Sequence, residues 1–359
     1  MKILVPGTIA LDVHAGPDDE VVVYDAAAPF RPEDADAAVL VVWGNSAENL
    51  GDAATQLPRL HWVQTLAAGP DAVLAAGFGP DVTITSGRSL HDGPVAEHAL
   101  ALVLAVVRRL DVLGAAQREH RWDTAVNQAQ ADPATAARYT LDGARVTVWG
   151  FGSIAARLAP LLAALGADVT GVASRRGERH GFPVVTDDDL PEVLASTDVL
   201  VSLLPALDTT RHAFDAARIG QLPDHAVFVN VGRGATVDED ALVAALHDGR
   251  LGGAALDVTG SEPLPAESPL WDAPRLVLTP HVAGNRPQRA SELVKADVAT
   301  VRAGRVLRGG GPPGLPGNVA AGGRGRDLFL DSAGTLPGST SGRCGGAAGT
   351  AGTCTTSGS

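Results

Sequence analysis

The feature that most constrains the fold of this chain is a glycine-rich turn between an apolar strand and a helix. Arg145–Trp149 has the pattern of a buried strand, the turn Gly150–Ala155 reads GFGSIA, and Ala156–Leu165 has a helical pattern. A further strand pattern follows at Asp168–Ala173. A turn with this spacing is typical of a dinucleotide-binding βαβ unit when strands and a helix surround it, as they do here.

Each small residue of the turn has a predicted role. Gly150 permits the tight turn, Gly152 lets the backbone approach a pyrophosphate, and Ala155 permits close packing of the helix on the strand. The backbone N–H groups of Ser153 and Ile154 then face the phosphates at the N-terminus of the helix. The sequence therefore predicts a dinucleotide site at this turn.

The end of the second strand indicates which dinucleotide binds. An enzyme that uses NAD usually has Asp or Glu there, which accepts hydrogen bonds from the ribose. This chain has Ser174, Arg175 and Arg176 instead, and two guanidinium groups with a hydroxyl suit a 2′-phosphate. We therefore expect NADP(H) to be favoured over NAD(H), with a solvated basic turn as the alternative.

Three clusters of polar residues follow at the carboxyl ends of later apolar strands, the edge where open α/β sheets bind ligands. They read NVGRG from residue 230, ALDV from residue 255 with EPLP from residue 262, and TPHVAG from residue 279. Arg233 can bind a substrate carboxylate and polarise the adjacent carbonyl, and His281 can supply a proton. Glu262 would fix the orientation of the imidazole if it bonds the other ring nitrogen.

Taken singly, these side chains are better explained as a surface cation, a loop carboxylate and a histidine at a strand end. Their occurrence together, in order and downstream of a dinucleotide turn, favours a catalytic set for the reduction of a 2-oxo acid. No metal-ligand set is predicted, because both cysteines, Cys344 and Cys354, lie in the last sixteen residues.

In this order, the motifs resemble those of the D-isomer-specific 2-hydroxyacid dehydrogenases, a family that includes glyoxylate/hydroxypyruvate reductases and phosphoglycerate dehydrogenase. The similarity covers residues 1 to about 305. It implies that Arg233, Glu262 and His281 take the three catalytic places. The cofactor contacts that it implies are Leu204 and Pro205 beside the adenosine, Val231 and Gly232 beside the nicotinamide, Asp257 at the carboxamide, and Gly284.

The resemblance also implies a substrate loop. Ala67, Ala68 and Gly69 follow the strand pattern His61–Thr65 and would offer backbone N–H groups to the substrate carboxylate, although a plain turn explains them equally well. The match continues at Pro94–His98, the entry to the first interdomain helix.

The sequence departs from the family pattern at the substrate-facing wall, where Ser86, Gly87 and Arg88 stand in place of the Thr-Asn pair of many relatives. Arg88 and His91 are therefore candidates for contacting an extra anionic group, with solvent exposure as the alternative. The second departure from the family pattern is the basic segment formed by Ser174, Arg175 and Arg176. The third is the C-terminal end, where 16 of the last 51 residues are glycine, so we expect disorder after about residue 308, with Asp327–Leu330 as the one locally structured candidate.

The predicted fold is α/β, with two doubly wound parallel-sheet domains and a cleft between them. A flavodoxin-like substrate domain would comprise 1–92 plus 286–308, and a Rossmann nucleotide-binding domain 93–285, followed by the glycine-rich tail 309–359. Pro94–Leu110 and Gln288–Val301 have the patterns of the connecting helices. The remaining strand patterns are Lys2–Val5, Glu20–Tyr24, Ala38–Trp43, Val82–Thr85, Val199–Leu204, Ala226–Val231, Gly253–Val258 and Leu276–Thr279.

Composition excludes several other classes of protein. A net charge of −13 with no basic stripe argues against nucleic acid as a partner. The longest apolar stretch, the nine residues Ala99–Val107, is too short to span a membrane, which needs about 20. The first six residues are an apolar run too short for the core of a signal peptide. Because both cysteines lie in the last sixteen residues, we expect a reducing, cytoplasmic compartment. Relatives imply a homodimer, and Ala99–Val107 would either bury in that contact or form an internal core helix.

The predicted reaction is hydride transfer from NADPH to a small 2-oxo acid of the glyoxylate or hydroxypyruvate type, giving the D-2-hydroxy acid. One alternative is an NAD-linked phosphoglycerate or other D-hydroxyacid dehydrogenase, in which Arg88 would meet a phosphate. The alternative from another class is a dinucleotide-sensing binding protein without turnover, against which the complete Arg, Glu and His set argues.

Overall fold

The computed structural model describes residues 1–13 and 16–303. The predicted glycine-rich tail, with its segment Asp327–Leu330 and both cysteines, lies outside these residues. No helix within the described ranges is long and apolar enough to cross a membrane.

The first sheet is built from five short apolar strands that are all parallel. Their order, β2-β1-β3-β4-β5, is that of a flavodoxin-like doubly wound sheet. Every residue of β3 and β4 is buried, as expected for central strands covered on both faces. The elements are β1 (Lys2–Pro6), β2 (Glu20–Tyr24), β3 (Val39–Val42), α1 (Ala47–Gln56), β4 (Trp62–Thr65), α2 (Asp71–Ala75) and β5 (Thr83–Thr85).

The chain then enters a long apolar helix, α3 (Asp92–Val107), which starts two residues earlier and ends three residues earlier than predicted. It ends because Arg109 adopts a left-handed conformation, with φ of 55°, before the next helix begins. Residues Ala99, Leu102, Val103 and Val106 of α3 are buried in the core of the second sheet. The apolar stretch Ala99–Val107 is therefore an internal core helix, and the expectation that it forms a dimer contact is not needed to explain it.

The second sheet has eight strands in the order β13-β12-β11-β10-β6-β7-β9-β8. All pairs are parallel except β8 with β9, an antiparallel hairpin that the sequence patterns do not indicate. The elements between α3 and the last strand are α4 (Leu110–Arg118), α5 (Thr124–Ala131), β6 (Arg145–Trp149), α6 (Ser153–Ala164), β7 (Asp168–Val172), β8 (Gly177–Arg179), β9 (Phe182–Val185), α7 (Leu190–Leu194), β10 (Val199–Ser202), α8 (Ala216–Ile219), β11 (Val227–Asn230), α9 (Glu239–His247), β12 (Gly253–Leu256) and β13 (Leu276–Leu278).

The last described helix, α10 (Ala290–Arg302), returns to the first sheet. Its Leu293, Val294 and Val298 pack in one apolar cluster with Ile3 and Val5 of β1. We call the first sheet with its helices and α10 the substrate lobe, and the body around the second sheet the nucleotide lobe. The division follows the predicted pattern, whereas the predicted domain boundaries stay a proposal.

Candidate active site

A histidine and a glutamate form a close pair at the carboxyl edge of the second sheet. His281 follows β13, and its ring Nδ1 lies 2.6 Å from Oε2 of Glu262, which follows the neighbouring strand β12. The other carboxylate oxygen, Oε1, accepts a hydrogen bond from the backbone N–H of Thr259 at 3.0 Å. The imidazole is 46% exposed, so a ligand in the adjacent space can reach the ring.

A buried aspartate holds the loop that carries this histidine. Asp257, at the end of β12, is 2% exposed. Its Oδ1 accepts from the N–H of Val282 and its Oδ2 from the N–H of Ala283, each at 3.0 Å, while its backbone carbonyl accepts from the N–H of His281 at 2.7 Å. These bonds fix the backbone of a residue, His281, whose φ of 52° is uncommon for a side chain of this kind.

Two more side chains contact Asp257. The hydroxyl of Thr279 donates to Oδ1 at 2.6 Å, and Nε2 of His98, on the interdomain helix α3, lies 3.3 Å from the same oxygen. Both carboxylate oxygens of Asp257 thus accept hydrogen bonds from groups of the nucleotide lobe itself. The predicted contact of Asp257 with the nicotinamide carboxamide stays a prediction, and the loop-holding bonds are a role that the motif did not indicate.

Arg233 reaches out of the nucleotide lobe towards the substrate lobe. It follows β11, and Asn230 holds its backbone: the amide Nδ2 donates to the carbonyl of Arg233 at 3.1 Å, and Oδ1 accepts from the N–H of Gly232 at 3.0 Å. The guanidinium Nε lies 3.5 Å from Oδ2 of Asp71, the first residue of α2. The guanidinium is 29% exposed and borders the predicted substrate loop.

The loops of the three candidate catalytic residues are neighbours because β11, β12 and β13 are adjacent strands. Gly234, next to Arg233, packs so tightly on the backbone of Thr259 that a Cβ there would collide with it. Thr259 in turn donates to Glu262, which bonds His281. The structure thus connects the guanidinium loop to the imidazole through three contacts.

The glycine-rich turn forms an open cradle at the same edge. Gly150 has φ of 98°, and a Cβ there would lie 2.9 Å from the carbonyl carbon of Leu203, so only glycine fits. At Gly152 a Cβ would meet nothing within 4 Å, which leaves the space that a pyrophosphate needs. Ala155 is fully buried. The backbone around these residues therefore fits a dinucleotide.

Four of the other predicted cofactor residues lie in two adjoining segments. A Cβ at Gly232 would lie 2.5 Å from the carbonyl oxygen of Leu204, so these two segments are in direct contact. Leu204 and the neighbouring Val231 are buried, whereas Pro205 is exposed. Gly284 is half-buried.

Ser153 and Ile154 occupy the first turn of α6, as predicted. The hydroxyl of Ser153 donates to Oδ1 of Asp92, at the start of α3, at 3.1 Å. Burial raises the pKa of the Asp92 carboxyl, against the opposing effects of the hydrogen bond from Ser153 and the charge of Arg157. A carboxylate therefore stands close to the predicted phosphate site, a feature that the fingerprint does not reveal.

The basic segment lies in the loop between β7 and the hairpin. Ser174, Arg175 and Arg176 are all exposed, and Arg176 forms an ion pair with Asp189. A further guanidinium, that of Arg179, donates to the backbone carbonyl of Phe151 in the glycine-rich turn at 3.2 Å. Sequence reasoning missed Arg179 because the hairpin that places it there was not predicted.

Two predictions for the substrate lobe need correction. The N–H of Ala67 donates to Oγ1 of Thr65 at 3.1 Å, so it does not point to a ligand, and the loop retains Ala68 and Gly69 as donors. His91 is 3% exposed, and its Nε2 bonds the carbonyl of Leu66 at 2.8 Å while the ring stacks on Trp43. Burial lowers the pKa of His91, so the residue is a neutral core side chain and contacts neither solvent nor an extra anion.

Comparison with known proteins identifies relatives over most of the chain. The sequence profile described as the D-isomer specific 2-hydroxyacid dehydrogenase, NAD binding domain, matches residues 100–283. Glyoxylate/hydroxypyruvate reductase A of Salmonella paratyphi B is 34% identical over 260 residues, which are 70% of this chain and 80% of the relative.

Two solved structures show the same fold with a cofactor bound. The NADPH-dependent glyoxylate/hydroxypyruvate reductase of Sinorhizobium meliloti, in complex with NADP and sulfate, has a TM-score of 0.69 at 28% identity, covering 86% of this chain and 96% of its own. The D-isomer specific 2-hydroxyacid dehydrogenase of Xanthobacter autotrophicus Py2, in complex with NADPH and MES, has a TM-score of 0.66 at 31% identity, covering 85% and 96%.

Proposed function

This chain belongs to the D-isomer-specific 2-hydroxyacid dehydrogenase family, and we propose that it reduces small 2-oxo acids of the glyoxylate or hydroxypyruvate type with NADPH. The product is the D-2-hydroxy acid where a stereocentre forms. The observation that carries the proposal is the 2.6 Å contact between His281 and Glu262, beside Arg233 at the carboxyl edge of the nucleotide sheet.

The proposed catalytic roles follow from the positions of the three side chains. When bound, the reduced nicotinamide supplies the hydride. Arg233 binds the substrate carboxylate and stabilises the negative charge that develops on the carbonyl oxygen. His281 donates the proton to that oxygen, and Glu262 holds the imidazole with its other ring nitrogen directed at the substrate. The N–H groups of Ala68 and Gly69 complete the carboxylate site from the substrate lobe.

The proposed cofactor residues are those of the cradle and the basic segment. Gly150 and Gly152 admit the pyrophosphate, and Ser153 and Ile154 present N–H groups to it. The guanidinium groups at 175 and 176 suit a 2′-phosphate, which supports NADP(H) over NAD(H). The predicted places of Leu204, Pro205, Val231, Gly232, Asp257 and Gly284 around adenosine and nicotinamide are part of this proposal.

The remaining features of the proposal rest on the family. We propose a cytoplasmic homodimer with a substrate domain of 1–92 plus 286–308 and a nucleotide domain of 93–285. Light scattering coupled to size exclusion measures the mass of the particle, and a mass of one chain would contradict the dimer.

The function is tested by the loss of absorbance of the reduced nicotinamide on addition of glyoxylate, hydroxypyruvate, pyruvate or phosphohydroxypyruvate, each with NADPH and with NADH. We expect the highest kcat/KM for glyoxylate or hydroxypyruvate with NADPH. A preference for NADH with the phosphorylated acid would support the phosphoglycerate alternative. Tight binding of NADPH without consumption of any acid would support the dinucleotide-sensing alternative.

A further inference from the structure

An acidic side chain of the substrate lobe already forms an ion pair with Arg233, whose guanidinium we propose binds the substrate carboxylate. Asp71 is the first residue of α2 and is separated from the substrate loop by Pro70 alone, and its Oδ2 lies 3.5 Å from Nε of Arg233. The carboxylate is 60% exposed, whereas the guanidinium is 29% exposed. The pair therefore lies at the opening between the two lobes, with the anion on the solvent side.

The substrate loop passes directly beside this ion pair. A Cβ at Gly69 would collide with both Nη2 of Arg233 and Oδ2 of Asp71, so the backbone of the loop is in contact with both charged groups. The N–H of Gly69 is one of the two donors that the loop retains. A substrate carboxylate bound by this loop and by Arg233 therefore comes close to the carboxylate of Asp71.

Asp71 limits how much further negative charge this edge can accept. Its carboxylate already pairs with Arg233 before any substrate arrives. Another cation of the same lobe, Arg88, lies near enough to the buried carboxylate of Asp92 to oppose the rise in its pKa. A substrate with one carboxylate adds a single negative charge, while a dicarboxylate or a phosphorylated acid places a further charge in the range where Asp71 repels it.

We propose that Asp71 is a specificity-determining residue that makes this site select 2-oxo acids carrying one negative charge. The inference rests on the proposed function, since it names the charge class of the substrate for the same site. Asp71 has no role in proton transfer here; it acts through repulsion, and through competition with the substrate carboxylate for Arg233.

The test compares two acids that differ only in one charged group. Hydroxypyruvate and ketomalonate share the 2-oxo acid skeleton, and the hydroxymethyl group of the first is a carboxylate in the second. Asp71→Asn should raise kcat/KM for ketomalonate about tenfold more than for hydroxypyruvate, as expected for the loss of one nearby charge. Asp71→Glu keeps the charge and should keep the wild-type preference.

Asp81→Asn is the matched control. Asp81 is exposed in the same lobe but precedes β5, so it lies at the opposite edge of the sheet, and its loss removes the same charge. The ratio of the two kcat/KM values should equal that of the wild type. A change in this control as large as that of Asp71→Asn would overturn the proposal, because the effect would then be one of net charge.

A binding measurement supplies a readout without turnover. Tartronate and D-glycerate are the corresponding products, and with NADPH present they form complexes that cannot react. Isothermal titration should show that Asp71→Asn lowers the Kd of tartronate about tenfold relative to that of D-glycerate. An equal change for both acids, or a loss of binding for both, would overturn the proposal and make Asp71 a residue that merely positions Arg233.

The two failures are distinguishable. If the wild type consumes NADPH with neither acid, the proposed function fails. If the wild type turns over hydroxypyruvate and Asp71→Asn leaves the discrimination against ketomalonate unchanged, the function stands and the role of Asp71 fails.

Discussion

The carboxyl edges of the two sheets offer their groups to a ligand in different ways. The edge of the nucleotide lobe presents side chains that are already bonded to one another: His281 with Glu262, and Asp257 with the loop that follows β13. The edge of the substrate lobe presents backbone, the N–H groups of Ala68 and Gly69, and the two lobes meet there in the contact of Asp71 with Arg233.

This difference separates two tasks. In the proposed mechanism, the proton donor His281 and its orienting carboxylate Glu262 need no contribution from the substrate lobe, whereas the proposed carboxylate site is complete only when both lobes supply their parts. Substitutions of His281 or Glu262 should therefore change kcat, and those in the substrate loop should change kcat/KM for the 2-oxo acid without affecting the cofactor.

The largest effect should come from the proton donor. His281→Ala should lower kcat about 10²- to 10⁴-fold, the usual contribution of a general acid, and leave the KM for NADPH nearly unchanged. Steady-state kinetics with hydroxypyruvate measure both quantities. The exposed His247 of α9 is a matched control in the same lobe. Equal kcat values for wild type and His281→Ala would remove His281 from the mechanism.

The substrate loop should respond next. Gly69→Ala places a methyl group against Arg233 and Asp71, and the displaced loop should lower kcat/KM for the 2-oxo acid about a hundredfold. The Kd of NADPH, measured by fluorescence titration, should stay within twofold. Gly79→Ala is the control, because a Cβ at Gly79 meets nothing within 4 Å. Loss of NADPH affinity in Gly69→Ala would show that the two edges are not independent.

A smaller effect is expected at the basic segment. Replacing Arg175 and Arg176 together with alanine should raise the KM for NADPH about tenfold, since charge-assisted hydrogen bonds to a phosphate are lost. The KM for NADH should change little. Asp189→Asn releases Arg176 from its ion pair and should lower the KM for NADPH. If the double substitution raised the KM for NADH as much as the KM for NADPH, that result would contradict a 2′-phosphate site.

The smallest effect concerns Asp92, the first residue of the helix α3 that connects the two lobes. Burial raises the pKa of Asp92 above its ordinary value of 3.8, so the folded protein loses stability as the pH rises from about 3.8 through the raised pKa. Asp92→Asn removes that loss and keeps an acceptor for Ser153. Its Tm should exceed that of the wild type by roughly 1–3 °C at pH 8, with no gain near pH 4. A constant difference at both pH values would assign the effect to packing.

Much of the nucleotide lobe could be predicted from sequence because its geometry is encoded in residue types. Gly150 and Gly152 are needed for a turn and for close approach, and the strand Arg145–Trp149 has the bounds that its apolar pattern indicates. In the substrate lobe, the same holds for the strand Glu20–Tyr24. The family and the fold class are confirmed by the comparisons.

The rest depends on contacts between residues distant in sequence. Nothing around Asp71 indicates that it meets Arg233, because 162 positions separate them and the contact forms only when two sheets face each other. His91 was misjudged for the same reason, since its burial depends on Trp43, which follows β3, and on Leu66, which follows β4. The hairpin Gly177–Val185 was missed because the strand β8 has three residues and no apolar pattern.

That hairpin has a consequence for solubility. The nucleotide sheet ends at β8, a strand of three residues that carries Glu178 and Arg179 and runs against its neighbour. Short, charged edges of this kind discourage the strands of other chains from adding to a sheet. We therefore expect Glu178 and Arg179 to discourage aggregation, and neutralising both at once should yield a chain that self-associates at high concentration.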